Sequence, residues 1–194
     1  MSDGHRARQC LTPALFARAA TDGRFLLPRH VAAISEAICD TITGRSEPIL
    51  LIEAPPRHGK SELVSKFLPA WYLGVWPDRR VMLAAYEATF ARSWGRKARQ
   101  VFVESTCPVF GRGLSGDNSA ADDWSTTAGG GMSTAGVGGP MTGRGAHLLI
   151  IDDPVKNAEE ALSATTRENH WDWWQSTAST RLEPGGVVIG IMTR

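Results

Sequence analysis

The feature that most constrains this chain is the run Ile49-Leu50-Leu51-Ile52-Glu53, followed at once by Ala54-Pro55-Pro56-Arg57-His58-Gly59-Lys60-Ser61. The apolar run lies between prolines, is too short for a helix and reads as a buried strand. From about Lys60 to Tyr72 the pattern turns helical. Strand, tight turn and helix in that order form a phosphate loop, GxxxxGK[ST], with Ala54 in place of its first glycine. Backbone N–H groups of the turn and of the helix start face inward onto phosphate oxygens, and the helix dipole adds to their attraction. The nucleotide-binding candidates are therefore Pro56, Arg57, His58, Gly59, Lys60, Ser61 and Glu62. Gly59 allows close backbone approach, Lys60 reaches the β/γ-phosphates of ATP, and the Ser61 hydroxyl ligates Mg2+. The competing reading is a structural turn that holds no phosphate.

A second signal is Leu148-Leu149-Ile150-Ile151-Asp152-Asp153, an apolar strand ending in two carboxylates. Ligands bind at this edge of open α/β sheets. Asp152 suits the Walker-B role of holding Mg2+ through its water shell beside Ser61. Asp153 stands where a P-loop ATPase places the carboxylate that polarises the attacking water. As an alternative, paired aspartates cap the helix that follows Pro154. Phosphoryl transfer also needs charge neutralisation, for which two arginines are candidates. Arg57 lies inside the phosphate loop and would act in cis. Arg144, in Thr142-Gly143-Arg144-Gly145, precedes the Walker-B strand and would reach a neighbouring subunit. For each, a surface loop residue is the competing assignment.

Around these signals the chain alternates helices and strands. Residues 1–28 read as a polar, basic arm with a short helix near Leu15–Ala20. Val31, Ile34, Ile38 and Ile42 predict an amphipathic helix over 29–43, stopped by Gly44. Arg80–Tyr86 reads as a strand. Helix 88–103 buries Phe90, Trp94, Ala98, Val101 and Phe102 and carries Arg92, Arg96 and Arg99 on its other face, either a solvated stripe or a phosphate-backbone contact. The glycine-rich stretch 111–147 predicts loops and small hairpins around a strand at Trp124–Thr127. His147–Ile151 is a strand, 158–181 one helix, and Val187–Thr193 a last strand after Pro184-Gly185-Gly186. The pattern predicts an α/β domain with a mainly parallel sheet flanked by helices.

Composition narrows the classes further. With 21 Lys+Arg against 20 Asp+Glu and a net charge of +1, there is no global basic field, so contact with DNA must rest on local patches. The start MSDGHRARQ lacks a signal-peptide core, and no apolar run is long enough to span a membrane, so a soluble cytoplasmic protein is expected. Cys10, Cys39 and Cys107 are widely spaced and predict reduced thiols, Cys39 in the core.

Several strings together resemble the ATPase domain of the large terminase subunit, the motor that packages DNA into tailed-phage and prophage capsids. They are APPRHGKSE, WPDRRVMLAAYEATFARSWGRKAR, GGGMSTAGVGGPMTGRGAH leading into LLIIDDPVKN, and EALSATTRENHWDWWQSTASTRLEPGGVVIGIMTR. Their order and spacing carry the likeness across most of residues 25–194. The resemblance implies a P-loop NTPase of the ASCE type, an ATP- and Mg2+-dependent translocase on double-stranded DNA. It would work as a homo-oligomeric ring on the portal protein, fed by the small terminase subunit, in the host bacterial cytoplasm, with the isolated chain a monomer. Lys60 and Ser61 match the Walker-A pair, Arg57 its extra loop arginine, Asp152 the Walker-B acid and Asp153 the catalytic carboxylate. Thr193 matches the coupling position that senses the γ-phosphate, and Arg144 the trans-acting finger.

There are departures. An adenine-contacting glutamine often precedes the loop in this family, whereas here the helix after Pro28 begins Arg29-His30-Val31, which leaves the base contact unassigned. Trp171, Trp173 and Trp174 read as packing. The expected layout is an arm over 1–28 and an ATPase domain over 29–194 that stops before the lid and nuclease domain of the family. No later carboxylate cluster follows, so the chain is expected not to cut DNA. The alternatives are another helicase-like P-loop ATPase, or a prophage remnant that binds nucleotide without productive turnover.

Overall fold

The computed structural model describes residues 12–120, 123–141 and 145–193. Helix α1 (Pro13–Ala20) starts where the Thr12 hydroxyl accepts from the Leu15 N–H and Pro13 needs no partner. Its Phe16 and Ala17 are buried in the main core, and the Ala14 N–H donates to Ser35 of α2 (Arg29–Ile42) at 3.1 Å. In α2, Val31, Ser35, Ile38 and Thr41 form the buried stripe, and Gly44 ends the run at φ +71°.

Strand β1 (Ile49–Ala54) leads through the phosphate loop into α3, a π-helical stretch Glu62–Phe67 that continues as the α-helix Leu68–Val75. Nearly all of α3 is buried, as its run of apolar residues requires. Next come β2 (Arg80–Ala85) and α4 (Ala88–Val101), the latter extended by Phe102–Thr106 and Cys107–Phe110. The end of α4 meets α3 at Gly74, where an added Cβ would lie 2.6 Å from Phe110 Cδ2. Strands β3 (Leu114–Ser119), β4 (Asp123–Thr126), β5 (Gly131–Gly136) and β6 (Ala146–Asp152) follow. Helices α5 (Ala158–Leu162) and α6 (Ala164–Trp173, running on through Trp174–Ala178 and Ser179–Arg181) precede β7 (Leu182–Thr193).

The described strands form one sheet in the order β1-β7-β6-β2-β5-β4-β3, parallel from β1 to β5 and antiparallel at β4 and β3. Alternate residues face opposite layers. Val81, Leu83, Leu148, Ile150, Ile189 and Ile191 pack into the core shared with α1 to α4, while Met82, Ala84, Leu149 and Val188 pack against Trp173 and Ala178. This is the mainly parallel, helix-flanked P-loop architecture expected from the sequence. Its register places Ala54 beside Thr193, and Asp152 beside Ile191 and Ala85, so that three strands finish together at one edge.

Several expectations need correction. The helix predicted over 158–181 breaks at Ser163, whose extended backbone (ψ 120°) closes α5 while its hydroxyl accepts from Thr166 N–H and opens α6. The last strand starts at Leu182, not Val187, because a register shift between the pairs Ala146–Leu182 and Leu148–Val187 absorbs the Pro-Gly-Gly segment. Within 111–147 the expected hairpins form, with β3–β4 and β4–β5 paired antiparallel, but the described residues carry three strands where the sequence singled out one. Trp173 is buried, but Trp171 is 58% exposed, so the tryptophans are not all core. Cys39 is half-buried, and of the arginine stripe Arg92 and Arg96 are exposed while Arg99 is partly buried. Among the described residues, no helix is long and apolar enough to cross a membrane.

Candidate nucleotide site

The phosphate loop turns on two residues in the left-handed region, Arg57 at φ +62° and Gly59 at φ +79°. For glycine this is unstrained, but for arginine it is an uncommon conformation that the loop must hold in place. His58 supports it through Nδ1, 2.9 Å from the Pro56 carbonyl, and His30 Nε2 lies 3.1 Å from the His58 carbonyl oxygen. The two rings stand edge to face at 5.5 Å. The side chains of Arg57 and His58 are exposed at the loop surface. Glu62, next in line, pairs with Lys66 one turn on at 2.8 Å.

Lys60 is the buried cation of the site, 6% exposed. Its Nζ donates to the Ala54 carbonyl at 3.4 Å and to Thr193 Oγ1 at 2.5 Å, and stands 3.9 Å from Asp153 Oδ2. Asp153 takes a left-handed backbone, φ +43°. Its N–H donates to the Ile191 carbonyl at 2.9 Å and its own carbonyl accepts from Tyr86 N–H at 3.3 Å. The carboxylate receives Thr193 twice, the backbone N–H at 2.7 Å and the hydroxyl at 3.0 Å on Oδ1. Lys60, Thr193 and Asp153 thus form one chain of contacts across three strand ends.

Asp152 points the other way, into the protein, and is fully buried. Two hydroxyls of α3's first turns meet it: Ser61 Oγ donates to Oδ1 at 3.1 Å and Ser65 Oγ to Oδ2 at 2.6 Å. Burial pushes this carboxyl up to about 6, and the adjacent Asp153 charge acts in the same direction, against the two serines and Lys60. Ser61 and Asp152 are hard oxygen donors side by side, the kind of set that holds Mg2+ together with phosphates and waters. Beside Asp153 and Thr193 a groove of ≈ 630 Å³ opens, walled by Tyr86, Phe90, Lys156 and Met192.

The fold therefore brings two groups, Lys60–Thr193–Asp153 and Ser61–Asp152, to one sheet edge, with Arg57, His58 and Gly59 in the loop beside them. Arg144 lies outside the described residues. The sequence reading missed Ser65, His30 as a contact of the loop backbone, and Tyr86. For Ser65 there was a signal, because a serine four residues after Ser61 shares its helix face.

No curated protein sequence matches this chain. Among solved structures, the HK97 bacteriophage large terminase matches with a TM-score of 0.53 and 12% identity, covering 86% of this chain and 33% of that one. The large terminase from a thermophilic bacteriophage matches at a TM-score of 0.45 and 10% identity, over 79% of this chain and 37% of that one. This chain thus spans about a third of the length of the terminases it matches. Over residues 51–194 the sequence matches the family model described as the terminase large subunit, T4likevirus-type, N-terminal. The chain belongs to the terminase large subunit family, and residues 51–194 correspond to its N-terminal domain.

Proposed function

We propose that this chain hydrolyses Mg·ATP to ADP and phosphate at the edge formed by β1, β7 and β6, and that the energy drives double-stranded DNA into a procapsid. The observation that carries the reading is the Lys60–Thr193–Asp153 chain of contacts beside the Ser61–Asp152 pair. In this reading the loop N–H groups and Lys60 bind the phosphates. Ser61 and Asp152 would hold Mg2+, which when bound would supply charge neutralisation for the phosphates. Asp153 orients the attacking water and takes its proton, while Thr193 registers whether Lys60 faces the γ-phosphate or β7. Arg57 adds positive charge in cis, and Arg144 in trans within a ring of copies.

The wider assignments follow from the family. They are a homo-oligomeric ring at the portal protein, delivery of DNA by the small terminase subunit, residence in the host bacterial cytoplasm, and an ATPase domain over 29–194 against which α1 packs. The exposed Arg92 and Arg96 of α4 are the contact offered to DNA phosphates.

The test is phosphate release with and without double-stranded DNA, comparing the unaltered chain with Asp153→Asn. Hydrolysis should fall by a factor on the order of 10²–10⁴ in the variant while nucleotide binding persists, because only the water-polarising step is touched. Equal rates in both would remove Asp153 from the role. Nucleotide binding with no turnover in the unaltered chain, even with DNA, would favour a remnant that only binds.

A further inference from the structure

The Ser61–Asp152 pair has a third member that the phosphate-loop pattern does not specify. Ser65 is completely buried on α3, four residues after Ser61, and its hydroxyl donates to Asp152 Oδ2 at 2.6 Å, the shorter of the two bonds the carboxylate receives from serine hydroxyls. A buried carboxylate needs its oxygens satisfied, and here they are divided between two hydroxyls on one helix face. The two have different freedom. Ser61 stands at the loop end and is partly exposed, where its oxygen would face the proposed nucleotide. Ser65 is shut off from solvent.

We infer that Ser65 is a positioning residue for the metal site: its hydroxyl locks the rotation of Asp152, so that Oδ1 and the free lone pairs face Ser61 and the hydration shell of Mg2+. The inference rests on the proposed Mg·ATP site. With Ser65 in place, Oδ2 is held on the protein side and the carboxylate plane cannot turn. Ser61 then keeps its proton for Oδ1 while its lone pair serves the metal. Without Ser65, Oδ2 is left buried and unpaired, and the carboxylate turns so that Oδ2 also draws on the Ser61 proton, which takes Oδ1 and the Ser61 oxygen out of the orientation that serves the metal. Partners that orient metal-holding groups in this way typically set metal affinity by about 10–100-fold.

The experiment is calorimetric binding of ATPγS to the full 194-residue chain at increasing MgCl2 and in EDTA, for the unaltered protein, Ser65→Ala, Asp152→Asn and the double variant. Ser65→Ala should shift the Mg2+ midpoint upward by about 10–100-fold and leave binding in EDTA unchanged. In the Asp152→Asn background the same substitution should have no further effect on the midpoint. A Ser65→Ala midpoint equal to that of the unaltered protein overturns the inference, and so does a shift that persists beside Asp152→Asn, since that would be general loosening of α3. If Ser65→Ala does not fold, Ser65→Cys, which keeps the volume with a weaker donor, is held to the same two criteria. An unaltered chain that binds no ATPγS at all, or binds it equally with and without Mg2+, overturns the nucleotide-site reading itself, a different result from a midpoint that Ser65 fails to move.

Discussion

Thr193 holds Asp153 with both its backbone N–H and its hydroxyl, at 2.7 and 3.0 Å, while the same hydroxyl accepts from Lys60. The last residue of β7 thereby joins the cation of the phosphate loop to the carboxylate after β6. Removing the hydroxyl leaves the N–H bond but breaks the link. Thr193→Val should therefore slow turnover on the order of 10²-fold, through loss of orientation at Asp153, with nucleotide affinity changed only a few-fold. Thr193→Ser should stay near the unaltered rate. Steady-state hydrolysis alongside calorimetric binding checks this, and equal rates for Val and Ser would show that the hydroxyl is idle.

Asp152 makes stability depend on pH. Its carboxyl ordinarily ionises near 3.8 and burial raises it to about 6 in the fold, so between those values the folded state keeps a proton that the unfolded chain has lost. Stability from this group is fully present below the lower value and falls as pH rises through the upper one, by up to about 3 kcal/mol. Urea unfolding in EDTA between pH 4 and 7 should show the unaltered chain losing more stability over that range than Asp152→Asn. Parallel profiles would mean that the carboxylate carries no burial penalty.

Trp173 and Trp171, two residues apart, should behave as different classes. Trp173 is 7% exposed, packs beneath the sheet with Ala178 and Leu149, and donates Nε1–H to the Gly139 carbonyl at 3.2 Å. Trp173→Ala should cost about 3–5 kcal/mol. Trp171→Ala, at an exposed site, should stay within about 0.5 kcal/mol. Urea midpoints at neutral pH distinguish them, and equal losses would place Trp171 in a buried contact.

Much of the site was legible because its chemistry is written in short contiguous strings. Lys60 and Ser61 sit in one loop, and Asp152 and Asp153 end one apolar strand, so strand periodicity and the phosphate-loop spacing were enough to locate both. What tied them together was not local. Lys60 and Thr193 are 133 positions apart, and their contact depends on the parallel register of β1 with β7. The left-handed backbone of Arg57 and Asp153 was equally hidden, since neither residue type announces a positive φ. Ser163 illustrates the opposite case. Asn157 caps α5 at the start the sequence reading gave, whereas Ser163, an equally good capping residue, lies inside the helix read over 158–181, and the structure uses it to end one helix and open the next. In the glycine-rich 111–147 stretch the hairpin of β4 and β5 is local and was expected, whereas the parallel pairing of β5 with β2, about 50 residues earlier, is a tertiary contact that a weak local propensity does not reveal.

The central claim is that Lys60 serves a bound nucleotide rather than only β7. Calorimetric binding of Mg·ATPγS to the unaltered chain and to Lys60→Ala tests it most directly. The account predicts measurable binding by the first and none by the second, because the substitution removes the buried cation that the loop carries toward the phosphates, while circular dichroism shows both folded. Equal affinity in the two proteins would contradict it, leaving Lys60 as a structural link to Thr193 and the loop as a turn without a phosphate.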